Sequence, residues 1–351
     1  MRVIWRIGVV ALATAAALVP IDAAFVERWY STRLFPVLQH LLTAASNRVA
    51  YALLDAAIIV TLTVWVVRAI RDIRRGPWPA ARSILVRTVV WAAVGYLAFL
   101  ALWGLNYRRV AMTTRLQSDT ARVTRDNAAR LARTSVEQLN ALYQPAHAMG
   151  WRVLPPVDPD LAAGFATAAT DLGLPPIVAA RPKRSLLNPY FRRAGVDGMT
   201  DPFFLETLVI GDLLPFERPF VIAHEWGHLA GIGDEGEANF VGWLACVHGQ
   251  SPAQYSGWLF LYAELVPVVA ASDRASLAGA LQAGPRADLR AIRDRIARDV
   301  SPRISSAGWR VYDSYLKANR VEAGAASYGT VVRLLLATEF RGDWHPVRRA
   351  E

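Results

Sequence analysis

Three apolar stretches in the first third of the chain constrain its fold more than any other feature. They run from about 3 to 24, 49 to 67 and 84 to 105, and each approaches the roughly 20 residues that a helix needs to cross the hydrocarbon of a bilayer. A cleaved signal peptide is the alternative for the first stretch, which is Ala-rich and interrupted by Pro20 and Asp22. Because two further stretches follow, we favour a retained anchor with three transmembrane helices.

The loop between the second and third stretches predicts the orientation of these helices. The charged residues in this loop and at the start of the third stretch are one acid, Asp72, and six arginines, namely Arg68, Arg71, Arg74, Arg75, Arg82 and Arg87. By the positive-inside rule this loop is cytoplasmic, as is an N-terminus with Arg2 and Arg6. An odd number of crossings then places the chain after Asn106 on the outer side of the membrane.

The basic composition therefore has an explanation other than nucleic-acid binding. The net charge is +10, but nearly all of the positive residues are arginines, and many of them flank the apolar stretches. This distribution indicates membrane topology rather than a DNA-binding face. Cys246 is the only cysteine, which excludes an intramolecular disulfide and a CxxC metal site and is typical of a small buried side chain.

The clearest chemistry lies in the segment His224-Glu225-Trp226-Gly227-His228. Residues four apart share one face of a helix, so the two histidines can present their imidazoles to one metal ion. Glu225 falls beside that face and can act as general base on a metal-bound water, as in HExxH zinc peptidases. The alternative is a pair of histidines that are satisfied by ordinary hydrogen bonds.

A catalytic zinc takes three protein ligands and one water, and three acids compete to be the third ligand. Asp234 stands where an HExxHxxGxxD pattern would place a ligand. Glu235 and Asn239 are four apart, so one helical face would carry a ligand and an amide that orients a ligand histidine. Glu237 lies off that face. One or two of these acids would serve only to stabilise a helix N-terminus.

The chain resembles the bacterial membrane proteins of a domain of unknown function, DUF 3810. The resemblance rests on Tyr30-Ser31, Phe35-Pro36, the run from Leu102 to Arg108, Asp201-Pro202-Phe203, Leu214-Pro215, the HEWGH segment, the run from Glu235 to Phe240, Gly324 and Ser327-Tyr328. The joint spacing of HExxH and ExEAN is its specific part.

This family is similar to gluzincin-type membrane metallopeptidases, and its ExxAN element is similar to the ExxAD of CAAX-protease-type enzymes. The resemblance implies that Glu235 is the third ligand, ahead of Glu237 and then Asp234. The chain departs from that pattern in two respects. Asn239 replaces the aspartate, and the gap between His228 and Glu235 is shorter.

Two further segments are candidates for the site. Residues 205–210 have the composition of a short strand, which as an edge strand would pair with an extended peptide substrate. An ordinary strand in a small sheet is the alternative. Tyr328 is a candidate donor to the oxyanion of a tetrahedral intermediate.

We therefore expect a mainly α protein with three transmembrane helices and a mostly helical, zincin-like metallopeptidase domain that contains a small β-sheet. The expected divisions are a membrane anchor (1–107), an exocytoplasmic domain (108–340) and a loose C-terminal tail (341–351). The expected protein is a multi-pass protein of the bacterial inner membrane whose domain faces the periplasm or exterior. Its partners would be the lipid bilayer and a peptide or protein substrate, but not nucleic acid.

The expected activity is zinc-dependent hydrolysis of peptide bonds. His224, His228 and Glu235 would bind Zn²⁺, Glu225 would be the general base, and Tyr328 would assist. The alternative is a non-catalytic membrane sensor or assembly factor in which the zinc is structural and closed by a fourth protein ligand.

Overall fold

The computed structural model describes residues 2–152, 156–318 and 330–349, and this part of the chain is mainly helical. Its first helices are α1 (Arg2–Leu18), α2 (Ala23–Phe25), α3 (Phe35–Asn47), α4 (Leu53–Ile73) and α5 (Pro77–Leu102). The remaining helices are α6 (Arg125–Met149), α7 (Pro159–Asp171), α8 (Asn188–Ala194), α9 (Arg218–Leu229), α10 (Glu235–Val247), α11 (Ser251–Leu265), α12 (Ala271–Ala280), α13 (Ala283–Asp299), α14 (Pro302–Ala318) and α15 (Thr330–Ala337). The strands are β1 (Pro182–Lys183), β2 (Gly198–Thr200), β3 (Thr207–Val209), β4 (Phe340–Arg341) and β5 (His345–Pro346).

Two helices of the described residues, α4 and α5, are long and apolar enough to cross a membrane. A third candidate is a bent pair in which α1 meets the helix Ala23–Asn47 at an angle of 109°. The first span, expected over 3–24, is therefore too long, because its helix ends at Leu18. Pro20 has no N–H for a helical hydrogen bond, and the carboxylate of Asp22 accepts the Phe25 N–H at 2.8 Å, so a new helix starts there.

Helices α1 and α4 both pack along α5. The guanidinium of Arg108, just after α5, donates to the Ala16 carbonyl at the end of α1, so these two helices end on the same side. Most of the exposed large apolar side chains of the described residues lie in the first third of the chain, among them Ile4, Leu12, Ile59 and Leu85. Such apolar surfaces are compatible with insertion into a membrane.

The helix Ala23–Asn47, which we call the linker helix, joins α1 to the rest of the protein. It consists of α2, a π-helical segment (Val26–Leu34) and α3. The Gln39 amide donates to the Val178 carbonyl at 2.8 Å and accepts the Val178 N–H at 3.0 Å. The Asn47 amide donates to the Ala179 carbonyl and accepts the Arg181 N–H. One face of the linker helix is thus bound to residues 178–181, across the division expected at residue 107.

A buried ion pair ties the start of α4 to the first sheet. The ammonium of Lys183 lies 2.5 Å from a carboxylate oxygen of Glu206, and both side chains are almost inaccessible to solvent. Glu206 also accepts the N–H groups of Leu53 and Leu54, which begin α4 and have no partner within the helix. A carboxylate at a helix N-terminus also interacts favourably with the helix dipole.

The first sheet has the strand order β1-β3-β2, in which β1 runs parallel and β2 antiparallel to β3. Strand β3 lies within the segment 205–210 that the sequence predicted as a strand, and of the two alternatives the edge strand is excluded. Both of its sides are paired, and Leu208 lies opposite both Lys183 and Met199, so the alternative of an ordinary strand in a small sheet is the one found. Strand β2 is an edge of this sheet, and it packs against α9.

The segment 341–349, expected to belong to a loose tail, is bound to the domain. Strands β4 and β5 pair with each other, and Arg348 forms a bridge with Leu116. The ring of Trp344 lies 5.2 Å from that of Trp243 and 5.5 Å from that of Trp258. The packing of half-buried Trp344 against two buried tryptophans explains why the polar composition of the tail was misleading.

Candidate metal centre

Helix α9 positions the two histidines of the HEWGH segment. Pro219 occupies its first turn, where the N–H that proline lacks would have no partner within the helix. Phe220 and the residues from Ile222 to Leu229 are all buried, because the helix lies in the core. Gly231, with φ +80°, lets the chain reverse after the helix, and the Ile232 N–H then donates to the Gly227 carbonyl. The segment therefore ends inside the protein, beside its own last turn.

His224 and His228 face each other from successive turns of α9. Their Nε2 atoms are 3.2 Å apart, and their rings are nearly perpendicular. The Nδ1 of His228 donates to the Ile232 carbonyl at 2.7 Å, which leaves the Nε2 lone pair of a neutral ring available to a cation. Only 8% of His224 and 9% of His228 are exposed.

Helix α10 brings the third group, Glu235, to the histidines. Its Oε2 lies 3.3 Å from Nε2 of His224 and 3.4 Å from Nε2 of His228. The approach depends on Gly242, where a Cβ would lie 2.8 Å from the backbone nitrogen of His224. Because α9 and α10 cross closely at this point, the carboxylate of Glu235 reaches both histidines although only a short stretch of chain separates it from His228.

The other two acids are turned to different partners. Asp234 caps α10 by accepting the Glu237 N–H at 2.9 Å. Glu237 accepts the Met112 N–H at 2.6 Å, and burial followed by the negative charge of Asp234 raises its pKa to about 7. Among the described residues, the cluster with metal-ligand spacing at this place contains His224, His228 and Glu235.

Glu225 is held beside the cluster by strand β2. The hydroxyl of Thr200 lies 2.8 Å from its Oε2, and a Cβ on Gly198 would come within 2.7 Å of its Oε1. Burial raises the pKa of Glu225, an effect that the positive charges of His224 and His228 and the Thr200 hydroxyl oppose. Thr200 therefore orients the carboxylate that the sequence predicts as the general base.

The electrostatics of the cluster favour a cation. Burial by itself would raise the pKa of Glu235, but the charges and hydrogen bonds of His228 and His224 hold it well below its usual range. Burial lowers the pKa of His228, yet the carboxylate of Glu235 outweighs this effect and raises it to about 9. A buried carboxylate thus draws positive charge to the point where two imidazole nitrogens meet. Two imidazoles and a carboxylate are the donor set of many catalytic zinc ions, so these residues fit the metal.

Several residues of the site escaped the sequence analysis. Trp103 donates its indole N–H to the His228 carbonyl at 2.8 Å, and Thr200, Gly198 and the Ile232 carbonyl also contribute. Trp103 belongs to the run 102–108 on which the family resemblance rests, but neither it nor the others had a role assigned, because only the fold brings these distant parts of the chain to the histidines. Asn239 is buried on α10, but among the described residues no hydrogen bond joins it to either histidine. Tyr328 lies outside the described residues.

A second group with ligand spacing lies between α7, α10 and β5. The Nδ1 of His345 donates to Asp171 at 2.7 Å, and His248 lies 3.4 Å from the same oxygen. The His345 side chain is 44% exposed, and Asp171 is already engaged by it. This group has no counterpart of Glu225 within the described part of the chain, so we describe it as a polar contact that holds β5.

Comparison with known proteins identifies one family. The model of a family described as "Protein of unknown function (DUF3810)" matches residues 30–336, a range that contains α4, α5 and the whole candidate metal centre. No curated protein and no solved structure matches the chain.

Proposed function

Since this chain belongs to the DUF3810 family, whose description names no activity, we propose a function from the site itself: a membrane-anchored, zinc-dependent metallopeptidase of gluzincin type. The observation that carries this proposal is the convergence of His224, His228 and Glu235 beside Glu225. The HExxH histidines and a glutamate from the next helix are typical ligands of a catalytic zinc, and the motif glutamate is typical of its general base.

The positions of these side chains suggest the role of each in the reaction. His224, His228 and Glu235 would hold the metal. Zinc bound there supplies Lewis-acid activation of a water and of the substrate carbonyl. Glu225, oriented by Thr200, takes a proton from the attacking water and passes it to the leaving amine, which completes the hydrolysis of a peptide bond. The burial of Glu225 raises its proton affinity, which suits a group that must both accept and release a proton.

The location follows from the arginines and the helices. With the Arg-rich turn between α4 and α5 in the cytoplasm, α1, α4 and α5 cross the bacterial inner membrane and the domain lies on the periplasmic or extracellular side. The hydrogen bond between Arg108 and Ala16 supports the same direction for α1 and α5.

A non-catalytic protein with a structural zinc is the alternative, and it requires a fourth protein ligand. Asp234 and Glu237 are the acids beside Glu235 in the chain that could take that position, but the first caps α10 and the second binds the Met112 N–H. Among the described residues, three groups then remain with ligand spacing, which is the number that a catalytic zinc takes from the protein.

The test compares three variants of the full-length protein in lipid nanodiscs, with cleavage of a proteome-derived peptide library read by mass spectrometry. We expect Glu225→Gln to retain zinc and to lose activity by about 10²- to 10⁴-fold, the usual contribution of a general base. His228→Ala should lose zinc. Glu237→Gln is the matched control and should retain both, because its partner is the Met112 N–H. Equal activity of wild type and Glu225→Gln would refute the mechanism, and stoichiometric zinc without any cleavage would favour the structural alternative.

A further inference from the structure

The linker helix carries a continuous apolar stripe on the side that faces away from the protein. Its members follow one another at intervals of three to five residues and are each between 48% and 65% exposed, namely Phe25, Trp29, Leu34, Val37 and Leu41. We call this set the apolar stripe. The π-helical segment keeps Leu34 on the same side as Trp29 and Val37. A stripe of large exposed apolar side chains of this kind marks an interaction surface.

The opposite side of the same helix packs against the rest of the protein. Val26, Ser31, Phe35 and Thr43 are buried, and the Thr43 hydroxyl donates to the Leu205 carbonyl at 2.9 Å. The helix is therefore fixed, and its stripe cannot turn inward. Because the linker helix leaves α1 at 109°, it runs nearly perpendicular to a helix that belongs to the anchor.

We propose that the apolar stripe lies in the interface of the lipid bilayer, on the side of the membrane that carries the domain. The linker helix connects α1 to α4, and both of these helices also expose large apolar side chains, so the stripe stands in the chain between two apolar helices. A helix that lies in the membrane plane and buries its apolar face at the boundary of head groups and acyl chains is a known way to bind a bilayer.

The charges beside the stripe fit the lipid head groups. The guanidinium of Arg33 lies 4.4 Å from the centre of the Trp29 ring, and that of Arg28 lies 5.5 Å from it. Tryptophan is favoured at membrane interfaces, and arginines beside it attract anionic phosphates. This arrangement supports lipid as the occupant rather than an apolar groove of another protein.

A loop of the domain meets the membrane at the same level. Its residue Leu186 is 71% exposed, and its N–H donates to Asp55 at 2.8 Å. Ser185 donates to the other oxygen of Asp55, which lies in the first turn of α4. A large apolar side chain of the domain thus stands exposed beside the point where α4 enters the membrane.

The position of the stripe determines what the metal centre can reach. Helix α5 ends at Leu102, and the ring of the next residue, Trp103, lies 6.2 Å from that of His228. A Cβ on Gly231, in the turn that follows α9, would lie 3.1 Å from the Phe35 ring of the linker helix. The metal centre therefore lies at the membrane surface. If the proposed peptidase function holds, its substrate class is polypeptide segments immediately outside the bilayer, anchored by a span or a lipid.

The docking of the stripe is tested by spin labels on single cysteines in proteoliposomes of phosphatidylethanolamine and phosphatidylglycerol. Cys246 is 0% exposed and should remain unlabelled, so the variants need no cysteine-free background. In electron paramagnetic resonance, we expect labels at Phe25→Cys, Val37→Cys and Leu41→Cys to be more accessible to oxygen, which dissolves in lipid, than to a water-soluble nickel chelate. Labels at Thr32→Cys and His40→Cys, which are exposed on a neighbouring row of the same helix, are the matched controls and should show the reverse.

Two results would overturn the docking proposal. One is preferential collision of the stripe labels with the nickel chelate. The other is strong dipolar coupling between stripe labels of two protein copies, which would assign the stripe to a dimer.

The substrate class is tested separately, with the proteome-derived peptide library attached to the same vesicles through an N-terminal palmitoyl group. Cleavage by wild type, corrected for Glu225→Gln, should fall within about ten residues of the anchor, an extended reach of about 30 Å. Cleavage spread evenly along the peptides would overturn the substrate class. No cleavage by wild type above Glu225→Gln would overturn the peptidase function and the substrate class with it, whereas the spin labels still decide the docking.

Discussion

The indole nitrogen of Trp103 donates a 2.8 Å hydrogen bond to the carbonyl oxygen of His228. Trp103 is the residue directly after α5, and His228 is the second histidine of the HExxH segment, so the end of the apolar helix α5 and the candidate metal centre share a contact. The rings of the two residues also meet edge to face. The end of α9 therefore cannot move independently of the end of α5.

Trp103→Phe should weaken metal binding without unfolding the protein. Phenylalanine keeps an aromatic ring beside His228 but removes the N–H donor, and the His228 carbonyl still accepts from Gly231. We expect a loss of about 1 kcal/mol of stability and of about tenfold in zinc affinity, as for other groups that orient a ligand. Zinc affinity is measured by competition with a chelating dye. Trp151→Phe, which removes an indole bond to Pro252 away from the site, is the control and should leave zinc affinity unchanged.

Gly242→Ala should separate α9 from α10 and disrupt the cluster. The added methyl group would lie 2.8 Å from the backbone nitrogen of His224, and a backbone atom cannot rotate away. Overpacking of this kind costs about 1–3 kcal/mol, and we expect bound zinc to decrease as Glu235 moves away from the histidines. The control is Gly279→Ala on α12, where nothing lies within 4 Å of a new Cβ and a gain of about 0.5–1 kcal/mol is expected. Full zinc content in Gly242→Ala would contradict this role.

Breaking the Lys183–Glu206 pair should loosen the domain from α4. Removal of one charge leaves the other buried without its partner, so Lys183→Met should cost about 3–5 kcal/mol. Lys183→Met combined with Glu206→Gln leaves no buried charge and should cost less than the sum of the two single changes. Urea unfolding in detergent, followed by tryptophan fluorescence, measures the three free energies. Additive losses would show that the two side chains act independently.

Asp201 should make stability fall as the pH rises from about 4 to about 6. Burial raises its pKa from 3.8 to about 6, despite hydrogen bonds from the Phe203 and Phe204 N–H groups that lower it. In this pH window the folded protein keeps the proton and the unfolded chain releases it, so the stabilisation is complete below about pH 4 and lost through pH 6. Two pKa units correspond to about 3 kcal/mol.

The comparison with Asp201→Asn isolates this effect, because asparagine does not titrate. Between pH 4 and pH 7 the free energy of unfolding of wild type should fall relative to that of the variant. A difference that stays constant, or that grows in favour of wild type, would show that the carboxylate is ionised in the folded protein.

Local patterns in the sequence predicted the elements that depend on local physics. Apolar runs predicted α4 and α5, because a lipid-facing helix needs apolar side chains all round, and the i, i+4 spacing placed His224 and His228 on one face of α9. Patterns were less informative where long-range contacts decide. The segment 205–210 was predicted as a strand, but its composition left open whether it is an edge strand, and only the fold shows that β1 and β2 cover both of its sides. The tail 341–349 is held by contacts with Trp243 and Leu116 that composition does not reveal.

The sequence by itself determined that His224 and His228 share a helical face, that Glu225 lies beside that face, and where the apolar helices lie. Each of these features depends on the spacing of neighbouring residues. Only the tertiary structure shows which of Glu235, Glu237 and Asp234 faces the histidines, because α9 and α10 cross at Gly242 with the carboxylate of Glu235 beside His224 and the other two bound elsewhere. It also decided the direction of the linker helix. Pro20 marks the break in the sequence, but the 109° turn is set by hydrogen bonds with residues more than 130 positions away.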